Sequence, residues 1–507
     1  MTDLLTAHGR TRGGSPSLST RIRSHPALAP ALVGLLGLTI SLIGIGIPSL
    51  WYDEAATVTA VMRDWPELWR MLGNVDAVHG AYYVVMHVLV DLFGYSPLLL
   101  RMPSAIAVGA AAALTVVLGR QLGLGRAAVV GGLVFCLLPR ATWMGTEARS
   151  YALSTALAVL LTLVLLHAQR SNRRRWWLVY AVLTVVSCYF FIYLALVIVA
   201  HGVSLAWWLA SRRQATVPTV RRWLLASAAA AVALLPFALA VIGQNAQVSW
   251  ILDLGPDTPR QVLRTQWFLF DGRFAVAGWI LIVFGAIALL RTARGFSAAA
   301  VLLPALVVPT AALLVATELY SPLYTPRYLT MCLPFVALII GAAIAAVPTR
   351  PLAALTLASL VLLAIPSIVE QRQPDAKQAS TWKEVAALIE EQRAEDGPGT
   401  TAIIYGPVRY HATATSRVIA YTYPDAFEGT IDVTIDTPAA KTGQLWETRN
   451  RLDESLDRLA GSDAAYLVTS VKQDRRESTA QTLATVGWSP TDEWNLGDTN
   501  VVRFERD

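Results

Sequence analysis

Apolar runs of about twenty residues recur along most of the sequence, and each is long enough to cross ~30 Å of hydrocarbon as a helix. They fall at 27–50, 98–119, 127–143, 150–168, 176–192, 194–210, 223–243, 274–290, 297–317, 329–347 and 351–369. The spacing predicts about eleven spans, with 176–192 and 194–210 separated by little polar sequence. Only 15% of the residues are charged and 55% are hydrophobic, whereas a soluble domain is roughly one-quarter charged. The chain therefore reads as a polytopic membrane protein. Cys136, Cys188 and Cys332 all lie inside apolar runs, which suits buried packing rather than a disulfide framework or a metal set.

Alternating the loops sorts the charges. Arg120, Arg126, the RSNRRR run at 170–175, Arg212, Arg213, Arg221, Arg222, Arg291, Arg294 and Arg350 share a side with Arg10, Arg12, Arg21 and Arg23. The positive-inside rule makes that side cytoplasmic. Residues 1–26 then read as a disordered cytoplasmic tail rather than a cleaved signal peptide. The acids check this separately. Up to residue 369 they are Asp3, Asp53, Glu54, Asp64, Glu67, Asp76, Asp91, Glu147, Asp253, Asp257, Asp271 and Glu318. All but Asp3 fall on the opposite side, and none is mid-span. The expected protein sits in the cell membrane with a cytoplasmic N-terminus and an extracytoplasmic C-terminal domain.

Two external loops are long. Residues 51–97 carry amphipathic segments at 54–72 and 79–93, the second read as a helix on the membrane surface because a span there would invert every later loop. Residues 244–273 form a candidate flap. After a QRQPDAKQAS linker, residues 370–507 hold 15 basic and 23 acidic residues, against 26 and 12 before them. Helices at 380–392 and 444–461, strands at 400–406, 430–436 and 464–471, then a helix and two short strands predict a small external α/β domain. No glycine-rich phosphate loop, nucleophile elbow or spaced metal ligands occur there, and its expected role is docking or substrate capture, or else stabilisation of the external loops.

Asp53 and Glu54 stand where the first apolar run stops, in PSLWYDEAATVTA. A carboxylate at a membrane edge needs a partner or a chemical role, such as accepting a proton from a hydroxyl or holding a cation. Glu54, at the start of the next helix, equally suits the helix N-terminal field. In TEARSYAL, Glu147 and Arg149 form either a plain ion pair or a site where Arg149 grips a phosphate oxygen beside Tyr151. In LYSPLYTPRYL, Arg327 stands between Tyr324 and Tyr328, either snorkelling to headgroups or binding an anion. Arg273 in FDGRF and Tyr82 in VHGAYY join this set, as does His79, whose alternative reading is a satisfied structural histidine, while Asp64, Glu67, Asp76 and Asp253 read as solvated loop residues.

The first span ending in Asp53–Glu54, the surface helix near His79, the EARSYA element at 147–152 and Pro326-Arg327-Tyr328 before a late span occur in this order. Together they resemble the GT-C glycosyltransferases, over residues 27–369. The similarity is greatest to the protein O-mannosyltransferase and aminoarabinose transferase branch and its actinobacterial cell-envelope relatives. The C-terminal part is similar, more loosely, to the extra external domain of such enzymes. VHGAYY departs from the His-Pro-Pro or Lys-Pro element that the family often carries.

The resemblance implies a GT-C fold and a polyprenyl-phosphate sugar donor, with mannose expected and arabinofuranose or galactosaminyl donors using the same constellation. The acceptor is a lipid, glycan or protein of the cell envelope, and no nucleic acid is involved. Asp53 would act as base, with Glu54 orienting it or binding a divalent cation. Arg149, Arg327, Tyr151, Tyr328 and Arg273 would face the donor phosphate, and His79, Tyr82 and Glu147 the substrate. No cofactor is otherwise required, because a single phosphodiester leaves without an Asp-x-Asp metal site. The other readings are a lipid-linked-sugar transporter, which ordinarily needs ionisable groups within its spans, and a non-catalytic envelope scaffold.

Overall fold

The computed structural model describes residues 26–171, 173–396, 399–409 and 414–507. The tail expected over 1–26 thus lies outside the described residues except for Pro26. Eight described helices are long and apolar enough to cross a membrane: Pro97–Gln121, Tyr151–Ser171, Ile192–Ala210, Val217–Gly243, Gly272–Leu290, Ala293–Leu319, Pro326–Ala346 and Arg350–Glu370. The remaining apolar runs fall on shorter helices, Leu28–Leu42, Arg126–Leu137 and Arg174–Phe190. The first helix stops at Leu42 rather than near 50 because Gly44 takes a left-handed φ of +67°, a conformation glycine adopts without Cβ strain. That early stop leaves the carbonyls of residues 43–49 outside the helix.

Small residues let the helices approach closely, as membrane helices commonly do. A Cβ at Gly109 would lie 2.9 Å from the Gly34 carbonyl oxygen, and one at Gly341 would lie 2.6 Å from the Gly131 nitrogen. Most of the predicted basic loops meet at one end of this bundle. There Arg170 donates to the Gln121 carbonyl at 2.5 Å, Gln169 to Gln214 at 2.8 Å and Arg213 to Ala293 at 3.0 Å.

At the other end, the amphipathic segment over 54–72 forms two helices, Tyr52–Val61 and Trp65–Asn74. Asp64 and Glu67 break it: Asp64 accepts the Glu67 N–H at 2.8 Å and Glu67 accepts the Asp64 N–H at 3.4 Å. This reciprocal cap, with Pro66 in the first turn, starts a new helix. Gly80–Phe93 follows; its 14 residues extend only ~21 Å, short of a span.

The C-terminal residues build a five-stranded sheet in the order β2-β1-β3-β5-β4, from β1 (Thr401–Tyr405), β2 (Ile431–Asp432), β3 (Ala464–Ser470), β4 (Trp488–Leu496) and β5 (Thr499–Arg506). Strands β2, β1 and β3 are parallel, and β5 and β4 are antiparallel. The helix expected over 444–461 does not form. Only a turn at Leu456–Leu459 is helical, because the segment's side chains are claimed elsewhere. Trp446 donates to the Tyr52 hydroxyl at 2.8 Å, and Glu447 accepts from Arg417 at 2.6 Å. The strand expected over 430–436 shortens to Ile431–Asp432, since the Asp432 carboxylate accepts the N–H groups of Thr434 and Ile435 and turns the chain. This sheet unit packs on the Tyr52 end of the bundle: Arg63 donates to the Gln444 carbonyl at 2.6 Å and Tyr95 to that of Thr422 at 2.6 Å.

Candidate active site

Trp51 is extended and the helix Tyr52–Val61 begins immediately after it. Successive residues of a helix point about 100° apart, so Asp53 and Glu54 diverge. Glu54 turns inward with no exposed side chain. Arg101 donates to both its oxygens, at 2.7 and 2.6 Å, and the Ala148 N–H donates to it at 2.9 Å. The rest of the Arg101 fork reaches the carbonyls of Ile45, Pro48 and Ser49, at 2.9, 2.8 and 3.1 Å, that the early end of the first helix released. Both Glu54 oxygens are thus engaged by this chain's own arginine, which does not fit the expected cation site. Asp53 faces outward. Its carboxylate pairs with the Arg327 guanidinium at 2.7 Å, and the two side chains are 13% and 22% exposed.

Arg149 lies on the turn between Met144 and Tyr151. Ser104 braces this turn, donating to the Glu147 carbonyl at 2.6 Å, and Thr57 donates to that of Ala148 at 3.0 Å. Arg149 donates to the Asp53 carbonyl and to the Tyr83 hydroxyl, both at 3.3 Å, and to His79 Nε2 at 2.9 Å. An arginine only donates, so Nε2 carries a lone pair and the ring proton belongs on Nδ1. Burial, reinforced by Arg149 and Arg327, holds His79 well below its ordinary value; the imidazole is neutral. The plain Glu147–Arg149 ion pair is not formed.

Asp76, expected to be a solvated loop residue, belongs to this network. Tyr83 donates to it at 2.7 Å, and burial raises its carboxyl while Arg149 and Tyr83 oppose the rise. Its φ of +59° is left-handed. The candidate flap fixes that turn: Gln247 accepts the Asp76 N–H at 2.9 Å and Gln244 the Ala77 N–H at 2.8 Å. Farther along the flap, Trp250 covers Arg327 with its ring centre 4.9 Å from the guanidinium carbon, and Trp51 lies 5.8 Å away.

Tyr328 stacks on Tyr193 with ring centres 4.8 Å apart, and Tyr151 meets Phe191 edge-on at 5.8 Å. These rings form an aromatic wall beside Arg327. Tyr82 is buried next to Ser104. Arg273 is exposed at the start of Gly272–Leu290, and among the described residues no hydrogen bond or ion pair joins it to the cluster.

Besides Tyr83, three charged residues were missed by sequence reasoning. Arg140 is 6% exposed, donates to the Thr265 carbonyl at 2.6 Å and lies within electrostatic reach of Glu147 and Arg327. Arg101 and Lys377 are fully buried. For the two arginines a signal existed: each is a lone cation inside an apolar run, and such residues ordinarily have an internal partner.

No family model matches the chain, and no curated protein sequence matches it. Solved structures do. A structure of ArnT from Cupriavidus metallidurans bound to undecaprenyl phosphate aligns with a TM-score of 0.59 at 14% identity, covering 93% of this chain and 97% of that one. Its apo form gives 0.55 at 13% identity, over 96% and 98%. An apo oligosaccharyltransferase from Archaeoglobus fulgidus gives 0.51 at 10% identity, over 88% of this chain and 69% of that one. At these identities the likeness defines the fold: the chain is a polytopic helical membrane protein of GT-C architecture with a small sheet domain at its C-terminal end.

Proposed function

We propose that the protein is an integral membrane glycosyltransferase that moves a monosaccharide, mannose in the first instance, from a polyprenyl phosphate to a hydroxyl of a cell-envelope lipid, glycan or protein. The observation that supports this most is the partly exposed Asp53 carboxylate set against Arg327, with Arg149 and Arg140 behind it. A proton acceptor and cations for an anionic leaving group stand together at the end of the bundle where the acids collect. That a protein of the same fold binds undecaprenyl phosphate supports the donor class.

In the transfer, Asp53 takes the acceptor's hydroxyl proton while that oxygen bonds to the anomeric carbon. The bond from that carbon to the phosphate oxygen breaks, and polyprenyl phosphate leaves with both electrons. Attack opposite the leaving group inverts the anomeric centre. Preorganised cations at the developing phosphate charge contribute several kcal/mol. An arginine on a carboxylate weakens it as a base, so the resting Asp53–Arg327 pair has to loosen. A donor phosphate that draws Arg327 to itself does this and couples donor binding to activation of the base. Glu54 serves as an anchor for the backbone, while His79 and Tyr83 aim Arg149. Tyr151 and Tyr328 wall the first isoprene units or the sugar, and Arg273 meets lipid headgroups. The site faces outward, with the N-terminus cytoplasmic.

The test is to supply the purified protein with labelled polyprenyl-phosphate sugars in turn, together with membrane lipid acceptors. Release of polyprenyl phosphate with label appearing in the acceptor supports the reading. Consumption of no donor sinks it in favour of transport or scaffolding.

A further inference from the structure

Lys377 sits in the segment that links the last membrane helix to the sheet domain, and the transfer chemistry above does not use it. Its surroundings are unlike those of a linker lysine. It is fully buried. Its ammonium lies 3.7 Å from the centre of the Trp143 ring and reaches the Trp143 carbonyl only at 3.5 Å. Gln378 and Ala379, directly after it, both take left-handed φ values of +60° and +59°, which non-glycine residues adopt at a cost. The segment is held against that strain on both sides. Gln371 accepts from Thr142 at 2.8 Å, Pro374 accepts the Ser49 N–H at 2.8 Å, and Ser380 donates to the Leu50 carbonyl at 2.6 Å.

The Trp143 carbonyl that Lys377 reaches also accepts from Thr146 at 3.0 Å, which brings the lysine to the turn carrying Glu147, and Glu147 is 2% exposed. Its Oε1 is buried without a hydrogen-bond partner, and among the described residues no cation lies within ion-pair distance of its carboxylate. Lys377 is the cation that acts on it most strongly, and Arg327 acts on it as well, alongside the like charges of Asp53 and Glu54. Arg140, on the Pro139–Met144 helix, lies within electrostatic reach of it as well. Lys377 in turn feels Glu147 and Glu54, opposed by Arg101 and Arg372. Two carboxylates, the partly exposed Asp53 and the buried Glu147, therefore share the field of one arginine.

We propose that Lys377 is a positioning residue for the transfer site: it neutralises Glu147, so that Arg327 stays available to Asp53 and to the donor phosphate. This rests on the glycosyltransferase reading. Without the lysine, the buried Glu147 carboxylate loses the cation that acts on it most strongly, and Arg327, which also acts on it, is drawn toward it. Because the lysine comes from the segment leading into the sheet domain, the site is complete only when that segment is docked. Burial lowers the Lys377 ammonium below its ordinary value and Glu147 only partly restores it. Transfer accordingly fails on the alkaline side earlier than an ordinary lysine would dictate.

The experiment measures kcat and KM for the donor across pH in Lys377→Met, Lys377→Arg, Glu147→Gln and the Glu147→Gln/Lys377→Met double variant, with thermal unfolding as a control. Lys377→Met is expected to lose tenfold or more of kcat/KM, and the double variant to recover most of it, since the competing carboxylate is gone. Lys377→Arg is expected to keep activity near neutrality and to move the alkaline limit upward. The proposal is overturned if Lys377→Met matches the unmutated protein, if the double variant is no better than Lys377→Met, or if the alkaline limit stays in place in Lys377→Arg. Should Lys377→Met not fold, the Lys377→Arg profile decides. Should the unmutated protein consume no donor, the glycosyltransferase reading fails first. Undecaprenyl phosphate binding then takes over as the readout, weakened in Lys377→Met and restored in the double variant, or unchanged if the couple does not act.

Discussion

Asp53 and Glu54 are adjacent acids, yet neutralising Glu54 should lower the melting temperature and neutralising Asp53 should silence the protein. In Glu54→Gln, Arg101 keeps its full charge in a site where both partners are essentially unexposed. It retains the carbonyls of Ile45, Pro48 and Ser49 but loses two charged bonds of 2.7 and 2.6 Å. Removing one partner of a buried ion pair costs about 3–5 kcal/mol. At ~2.1 cal/mol/K per residue, 507 residues give an unfolding entropy near ~1 kcal/mol/K, so a unit that melts together loses ~3–5 °C. The Asp53–Arg327 pair is partly exposed, where such pairs contribute about 1 kcal/mol or less; Asp53→Asn should shift melting by ~1 °C. Thermal unfolding in detergent micelles reads both. Glu54→Leu with Arg101→Met should regain only part of the loss, since three carbonyls and the Ala148 N–H stay unmet. Equal melting shifts in the Asp53 and Glu54 variants, or an unshifted Glu54→Gln, would refute the division of labour.

Three further outcomes follow from the network and the packing. His79 is buried and neutral, so the rate profile should show no histidine step between about pH 5 and 8, and His79→Phe should lower kcat roughly tenfold by removing the shortest of the three hydrogen bonds that aim Arg149. Asp76 is raised by burial, so its carboxylate, and with it the grip on Arg149, is lost as pH falls through a value above the usual aspartate range. Asp76→Asn should remove that acid limb from the pH profile, and an unchanged limb would assign it to another group. Gly285→Ala drives a Cβ into the Ile339 carbonyl oxygen; overpacking of this kind costs about 1–3 kcal/mol, read as a lower melting temperature.

Much of the bundle was legible because lipid imposes one rule on every span: twenty apolar residues, with charges sorted to the ends. Asp53, Arg149 and Arg327 were legible for the same reason, as charges at the edges of apolar runs. What could not be read was pairing between segments far apart in the chain. Glu54 meets Arg101 and Asp76 meets Tyr83 only after the first helix stops early and the flap closes on the 76–77 turn. The QLWETRNRLDESLDRLAG segment carries a helical pattern, yet Trp446 and Glu447 are bound by Tyr52 and Arg417. Tertiary contacts there override local propensity. Lys377 went unread because nothing local reveals that the QRQPDAKQAS linker folds back against the bundle.

The proposal that Asp53 is the base of a glycosyl transfer is tested most directly by single-turnover kinetics of Asp53→Asn with a polyprenyl-phosphate sugar the unmutated protein consumes, alongside binding of the donor. Loss of a general base costs roughly 10²–10⁴-fold in rate, so the expected result is a fall of that size with donor binding retained. Transfer by Asp53→Asn at the unmutated rate would contradict it.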